Sequence, residues 1–272
     1  MSVDQILVTN DDGIDAVGVR AVYEALADDY DVVVVAPVDD QSSVGRAMSS
    51  EITVNDHELG YAVDGTPVDC VVSGLNELVP DADLVVAGCN KGANLGAYTL
   101  GRSGTVSAAV EAAFADVPAI ATSMYVPGGS DWWKRQLTQA QFRHATRATR
   151  FLVDEAVSAG VFDSADYLNV NATISEDGAA AGNADRGAVP PLRVTTPSSW
   201  YGLEADQNGD GSISISDPIW GRMTPADVPD SVGTDRRAVV DGEVSVSALS
   251  VPHESTTATG LQTLVEAYPQ PT

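Results

Sequence analysis

Residues 6–36, ILVTNDDGIDAVGVRAVYEALADDYDVVVVA, contain two apolar runs separated by a stretch with helical spacing. Residues 6–9 and 32–36 are short, apolar and rich in β-branched side chains, which is typical of buried strands. Between them, apolar residues recur every three or four positions from Val19 to Leu26, which predicts an amphipathic helix. This order of elements predicts a βαβ unit with two parallel strands.

The alternation of helical and strand-like stretches continues beyond this unit. It predicts helices around 68–75, 105–114 and 140–157, and strands at 84–87, 119–122 and 168–170. Strands that are apolar on both faces need helices on both sides of the sheet. The pattern therefore predicts an α/β fold with a Rossmann-like, doubly wound and mostly parallel sheet.

The sequence changes character after Ser175. Residues 178–187 are rich in Ala, Gly, Asn and Asp and predict a loop, and the end of the chain predicts a helix at 259–268. Short strands are predicted at 194–196, 212–216 and 244–249. We expect a single domain over 1–272, with a core of about 1–176 and 240–268 and a protruding, hairpin-rich segment at about 190–232.

A polar turn at 207–211 predicts a hairpin in this segment. Residues 206–217, DQNGDGSISISD, also match the start of an EF-hand calcium loop. Position 12 is Asp instead of Glu, and the flanking residues alternate as in strands. The hairpin is therefore favoured, and calcium binding is the alternative.

The composition is strongly acidic and poor in lysine. The 272 residues include 39 Asp and Glu against 14 Lys and Arg, for a formal net charge of −25. Nucleic acid is excluded as a partner, because phosphate backbones are bound by clustered basic residues. No run approaches the roughly 20 apolar residues that cross a membrane, and no leader pattern precedes the first strand. These features predict a cytoplasmic protein from a high-salt cell.

The two cysteines, Cys70 and Cys89, are too few for a disulfide framework. We interpret both as buried free thiols, with a disulfide between them as the alternative. The three histidines form no zinc-binding pattern.

Two adjacent carboxylates, Asp11 and Asp12, follow the first predicted strand. Ligands of open α/β sheets bind at the carboxyl ends of the strands, and Gly13 permits a turn that brings both carboxylates to one point. A divalent cation would offset their mutual repulsion. An acidic turn that caps the next helix is the alternative.

Two further loops follow predicted strands. Residues 39–45, DDQSSVG, offer Ser42 as a hydroxyl ligand. Residues 88–96, GCNKGANLG, place three glycines around Asn90 and the basic Lys91. Asn90 can supply a neutral oxygen to the same metal, whereas a connector that needs glycine only for its shape is the alternative.

Residues 103–105, Ser-Gly-Thr, open an Ala-rich helix. Free N–H groups and the positive end of the helix dipole make this terminus suitable for a phosphate, and an ordinary N-cap at Ser103 is the alternative. Neither GxxxxGK[ST] nor GxGxxG occurs in the sequence. This argues against a P-loop NTPase and a dinucleotide dehydrogenase.

Together these segments resemble the SurE (survival protein E) family of metal-dependent nucleotidases, which hydrolyse nucleoside monophosphates. The resemblance lies in ILVTNDDGI (6–14), VVAP (34–37), DGTPVDCV (64–71), DLVVAGCNKGANLG (83–96), SGTVSAAVEA (103–112), YLNVNA (167–172) and GTDRRAVVDGEVSVSAL (233–249). The chain departs from the family pattern at Val38 and Ala93, and Arg102 lies in a segment that is one residue longer than usual.

The resemblance implies a site and an assembly. The implied metal ligands are Asp11, Asp12, Ser42 and Asn90. The implied catalytic residues are Asp11, Asp12, Asn94, Ser103, Gly104 and Thr105. One divalent cation, Mg²⁺ or Mn²⁺, is expected per subunit, and exchange of C-terminal elements implies a homodimer or homotetramer.

These observations predict a metal-dependent phosphomonoesterase that hydrolyses nucleoside 5′-monophosphates, with 3′ esters left open, by attack of a metal-activated water. The first alternative is an aspartyl-phosphate phosphatase with Asp11 or Asp12 as nucleophile. Asn10 argues against it, because it occupies the first position of the Asp-x-Asp motif of those enzymes. The second alternative is a non-catalytic nucleotide or phosphate sensor. The sequence predicts no base preference.

Overall fold

The computed structural model describes residues 2–175, 189–251 and 265. The predicted loop at 178–187 lies outside these residues, as does the predicted helix at 259–268 apart from Val265. The strands are β1 (Gln5–Thr9), β2 (Asp31–Pro37), β3 (Thr53–His57), β4 (Gly60–Asp64), β5 (Leu84–Lys91), β6 (Ala119–Tyr125), β7 (Tyr167–Thr173), β8 (Leu192–Val194), β9 (Glu204–Gln207), β10 (Ile213–Ser216) and β11 (Val244–Leu249). The α-helices are α1 (Val17–Leu26), α2 (Pro67–Ser73), α3 (Ala97–Leu100), α4 (Gly104–Phe114), α5 (Arg143–Glu155) and α6 (Asp235–Val240).

The main sheet has nine strands in the order β3-β4-β2-β1-β5-β6-β7-β11-β8. The six strands from β4 to β7 in this order are mutually parallel. On one side, the edge strand β3 pairs antiparallel with β4, and on the other side β11 pairs antiparallel with β7. The predicted mostly parallel, doubly wound α/β sheet is therefore confirmed.

Helices cover both faces of this sheet. Successive side chains of a strand point to opposite faces, so each apolar strand packs against helices on both sides. In β1, Ile6 and Val8 belong to the core cluster that includes residues of α1 and α5, whereas Leu7 belongs to the cluster of α2 and α4. All three side chains are fully buried. Two apolar cores thus hold the strand from opposite sides, as the uninterrupted apolar run predicts.

Strand β5 is longer than predicted. It continues past Ala87 through a register shift, after which Asn90 pairs with Ser123 of β6. Glycine and asparagine are typical of turns, so this segment resembles a loop in the sequence, whereas pairing with β6 extends the strand. Asn90 is therefore held in the sheet and not on a free loop.

The hairpin of β3 and β4 and the short helix α6 have no counterpart in the sequence prediction. The β3 side chains are mostly exposed and polar, so they lack the alternation that indicates a half-buried strand. Helix α6 has six residues, which is too short for a clear helical period.

The C-terminal segment divides between the main sheet and a separate hairpin. Strand β8 pairs with β11 at the sheet edge, so the sheet includes part of the segment that we expected to protrude. Strands β9 and β10 form the predicted hairpin, and all of their residues are exposed. A third apolar cluster packs this segment against the loop after β5 through Leu95, Ile219, Met223, Val228 and Val239.

None of the helices among the described residues has the length and apolar character required to cross a bilayer. Cys70 and Cys89 are buried and free, as predicted.

Candidate active site

A cavity of about 550 Å³ opens at the carboxyl ends of β1, β2, β5 and β6. This is the edge at which open α/β sheets bind ligands. Of the candidate residues, it is lined by Asp11, Ser42, Asn90, Lys91, Asn94 and Ser103. The structure thus brings together side chains that are separated by up to 92 positions in the sequence.

Asp11 lies at the end of β1 against the N-terminus of α4. Its carboxylate accepts hydrogen bonds from the hydroxyl and the backbone N–H of Thr105. A Cβ at Gly104 would lie 2.8 Å from the Cβ of Asp11, so only glycine allows this approach. The anion that this helix terminus holds is therefore the Asp11 carboxylate.

Burial raises the pKa of Asp11 above its usual value, and the hydrogen bonds from Thr105 act in the opposite direction. The fully buried Thr105 hydroxyl is thus directed at Asp11, and Thr105 is not among the residues that line the cavity. The structure places it as a support for a candidate metal ligand.

Asp12 is fixed from the neighbouring strand β5. Its Oδ2 accepts a hydrogen bond of 2.8 Å from the backbone N–H of Lys91. Burial, and next the adjacent Asp11 carboxylate, raise the pKa of Asp12 to about 7. Two adjacent carboxylates that favour protonation in this way, one buried and one half-buried, need a compensating positive charge when both are ionised.

Two neutral oxygen donors, Asn90 and Ser42, line the same cavity as Asp11. The amide nitrogen of Asn90 donates to the Gly92 carbonyl at 2.6 Å, which leaves the Asn90 side-chain oxygen available. The Ser42 hydroxyl is exposed and donates to Asp40 Oδ1 at 2.6 Å, which leaves lone pairs on Ser42 Oγ.

Among the described residues there is no group of three or more His, Cys, Asp or Glu suited to a metal. Two carboxylates with amide and hydroxyl oxygens instead form a donor set of hard oxygens. Mg²⁺ typically binds proteins through one or two carboxylates, so Asp11, Asp12, Ser42 and Asn90 fit a hard divalent cation.

Asn94 is the centre of a buried polar network. Its backbone N–H donates to Asn171 Oδ1 at 2.8 Å, and its side-chain amide donates to Ser123 Oγ at 2.9 Å. Its carbonyl accepts from the side chains of Asn169 and Asn171. Strands β6 and β7 therefore fix the conformation of Asn94 in the cavity wall, which is a preorganised position for a polar contact.

Ser103 is the N-cap of α4, since its hydroxyl accepts a hydrogen bond of 3.0 Å from the Val106 backbone N–H. It also lines the cavity, so the structure is compatible with both interpretations of this residue. Its role toward a phosphate stays a prediction.

We expect Ser103→Ala to lower the melting temperature by about 2–4 °C, because loss of an N-cap costs about 1 kcal/mol. Circular dichroism measures the shift. Ser107→Ala on the same helix is the matched control: the buried Ser107 hydroxyl has no hydrogen-bond partner among the described residues, so its loss should cost little. An unchanged melting temperature in Ser103→Ala would show that the cap contributes nothing.

Aromatic side chains form much of the remaining cavity wall, and the sequence analysis did not place them there. They are Tyr98, Tyr125, Trp132, Trp133 and Trp220. Trp132 packs against the core, and both Trp132 and Trp133 line the cavity. The Trp132 ring lies beside Gly92, at the end of β5. The available signal was their position after a strand of the parallel sheet.

The C-terminal segment completes the wall with Leu203, Asp217 and Trp220. Lys91 Nζ donates to the Trp133 carbonyl at 2.7 Å and so ties the tryptophan segment to β5. The fold and the site thus define a class: a doubly wound α/β protein with a cavity at the strand ends that is lined by the Asp11 carboxylate, amide and hydroxyl groups and aromatic rings.

Comparisons with known proteins narrow this class. A family model described as "Survival protein SurE" matches residues 6–195. The 5′-nucleotidase SurE of Haloquadratum walsbyi is 53% identical over 265 residues, which cover 97% of this chain and 96% of that protein. The 5′-nucleotidase SurE of Haloarcula marismortui is 55% identical, with 97% and 94% covered. The crystal structure of the SurE protein from Aquifex aeolicus aligns with a TM-score of 0.72 at 26% identity, covering 96% of this chain and 98% of that one.

The chain belongs to the SurE family, and it has highly identical relatives in halophilic archaea. This confirms the resemblance drawn from the sequence motifs.

Proposed function

We propose that this chain is a metal-dependent phosphomonoesterase that hydrolyses nucleoside 5′-monophosphates to nucleoside and phosphate. The observation that carries the proposal is that one cavity combines the oxygen donors of Asp11, Ser42 and Asn90 with a wall of five aromatic rings. A nucleotide has matching chemistry, with an anionic end and a flat base. The name 5′-nucleotidase of the relatives supports the same activity.

At the carboxylate end, Asp11, Asp12, Ser42 and Asn90 would hold one Mg²⁺ or Mn²⁺. When bound, such a cation polarises the phosphoryl oxygens and lowers the pKa of a water molecule at the site. Thr105 and Lys91 orient the two carboxylates through their hydrogen bonds. Asn94, held by its network, is placed to stabilise the equatorial oxygens of the phosphoryl group.

Along the rest of the cavity, the aromatic side chains offer flat surfaces for a purine or pyrimidine. Stacking tolerates any base, because every base has a π-face. We therefore expect activity on several nucleotides. Activity on 3′ esters remains part of the proposal.

The alternative of an aspartyl-phosphate phosphatase is less well supported. Those enzymes have an Asp-x-Asp motif after the first strand, and Asn10 occupies its first position in this chain. A non-catalytic sensor, the other alternative, would bind nucleotides without releasing phosphate.

The test is a panel of nucleoside 5′- and 3′-monophosphates and short polyphosphate in multimolar KCl, with inorganic phosphate as the readout. We expect release from 5′-monophosphates with Mg²⁺ or Mn²⁺ and at least a hundredfold less after chelation with EDTA. Binding of nucleotides without any release would instead establish a sensor, and an acyl phosphate detected by mass spectrometry would establish the aspartyl-phosphate mechanism.

We also propose a homodimer or homotetramer built through the C-terminal segment. The support is its exposed apolar surface: Leu192 and Val194 on the edge strand β8, and Ile213 and Ile215 on the hairpin. Unprotected edge strands and apolar hairpins are typically covered by a partner. The cytoplasmic location stays a prediction.

A further inference from the structure

We propose that Arg102 binds the phosphoryl group of the substrate and is a specificity-determining residue of this cavity. The inference rests on the proposed function, because it assigns a role within the same site. In the described part of the chain, the charged side chains that line the cavity are Asp11, Lys91, Arg102 and Asp217.

A dianionic phosphate entering this cavity meets unfavourable charges. The negative charges of Asp12 and Asp40 act together with that of Asp11, and the whole chain carries a formal net charge of −25. One divalent cation offsets only part of this negative charge. Recognition of the phosphate therefore requires local positive groups.

Of the two basic side chains, Lys91 already donates to the Trp133 carbonyl. Arg102 contacts the ring of Tyr98, with 5.4 Å from Cζ to the ring centroid, and makes no side-chain hydrogen bond or ion pair to any described residue. Other arginines of this acidic chain pair with carboxylates instead, as Arg20, Arg46, Arg150, Arg193 and Arg237 do. The Arg102 guanidinium thus has its donors free for a ligand.

The backbone places Arg102 at the carboxylate end of the cavity. It directly precedes Ser103, the N-cap of the helix whose first turn contacts Asp11. The Arg102 N–H donates to the Thr99 carbonyl at 2.9 Å, and its carbonyl accepts from the Gly45 N–H at 3.1 Å. The second of these bonds joins it to the loop that contains Ser42.

The Arg102 guanidinium lies over the ring of Tyr98, and two other residues pack on that ring. The fully buried Arg236 lies 5.6 Å from the Tyr98 ring centroid, and the Tyr201 ring makes a T-shaped contact with Tyr98 at 5.5 Å between centroids. Asp235 accepts the Gly96 N–H at 2.7 Å and so anchors the turn before Tyr98. The guanidinium is therefore preorganised, and its planar donors suit two phosphate oxygens.

The test uses Arg102→Met, Arg102→Lys and the control Arg147→Met in the full chain, at one KCl concentration with Mg²⁺. Arg147 is the matched control because it is also exposed and lines a different groove. Like that of Arg102, its side chain has no hydrogen bond or ion pair to a described residue. Calorimetry measures the affinity for inorganic phosphate, and competition assays measure inhibition by phosphate and by the uncharged nucleoside.

We expect Arg102→Met to weaken phosphate binding and inhibition about tenfold to a hundredfold, the range for a lost charge-assisted hydrogen bond. Inhibition by the nucleoside should stay within about twofold, Arg102→Lys should recover part of the phosphate affinity, and the melting temperature should not change. A purely structural role would weaken both inhibitors together.

Phosphate affinity in Arg102→Met equal to that in Arg147→Met would overturn the proposal, as would a wild-type protein that does not bind phosphate. Phosphate calorimetry needs no turnover. A chain that binds phosphate through Arg102 but hydrolyses no nucleotide would therefore refute the proposed function and support this inference.

Discussion

Replacement of Asp11 or Asp12 by Asn is expected to reduce phosphate release more than a hundredfold without unfolding the chain. Each change removes one charged oxygen from the candidate metal site, where the other donors are mainly neutral. Phosphate release at saturating nucleotide, with Mg²⁺ titrated from micromolar to millimolar, measures the effect. Part of the loss should be recovered at high Mg²⁺ if affinity for the cation is what the substitution weakens.

The fold should tolerate these substitutions. Burial raises the pKa of both carboxylates, so their charged forms are unfavourable in the metal-free protein, and a neutral amide removes that penalty. Thr105 can still donate to the amide oxygen at position 11. The melting temperature in EDTA is therefore expected to equal or exceed that of the wild type.

Added Mg²⁺ should raise the melting temperature of the wild type and not that of the variants, because a ligand stabilises only the state that binds it. Asp15→Asn is the matched control, since its side chain is 85% exposed and lies in the same loop. Activity within a few-fold of the wild type, together with an unchanged Mg²⁺ response in the Asp11 and Asp12 variants, would remove both residues from the site.

The second large effect is expected from salt. The 39 acidic groups repel one another over about 30 Å at 0.01 M ionic strength but only about 3 Å at 1 M. We expect the melting temperature to rise by at least about 10 °C between dilute buffer and molar KCl, which corresponds to about 6 kcal/mol for a chain of this size. Activity should rise over the same range.

Two controls separate charge screening from other effects. Sucrose at the same osmolality should not reproduce the rise, whereas millimolar Mg²⁺ should replace part of it by binding the folded site. If the C-terminal segment forms the subunit contact, the sedimentation coefficient should fall with the melting temperature as salt is removed. A melting temperature that is flat across this range would contradict the halophilic interpretation and leave the metal-site assignment intact.

Much of the fold was determined by local sequence. The apolar strands from 6 to 9 and 32 to 36 and the helical spacing between them specify a parallel sheet with cover on both faces. The strand-end rule then places Asp11, Asp12, Ser42 and Asn90 at one edge before any coordinates are considered. The prediction of the fold succeeds because periodicity and chain direction act over short distances in sequence, whereas the metal site stays a prediction.

Tertiary structure decided what depends on contacts between distant segments. The Ser103 hydroxyl caps its helix, and Thr105 is directed at Asp11, a partner 94 residues away. The aromatic wall combines residues after β6 with Trp220 from the C-terminal segment. None of these partnerships has a local pattern in the sequence.

Arg102 illustrates the same division. The sequence showed only an additional basic residue before Ser103. The fold places the Arg102 guanidinium over the ring of Tyr98, in a cavity that is also lined by carboxylates. In this position the guanidinium has no hydrogen-bond or ion-pair partner among the described residues. The amino-acid sequence by itself therefore determined the sheet and the strand ends at which the candidate site residues lie. Three-dimensional packing decided which side chains line the cavity, because only packing brings charges and rings from separate segments within a few ångströms of one another.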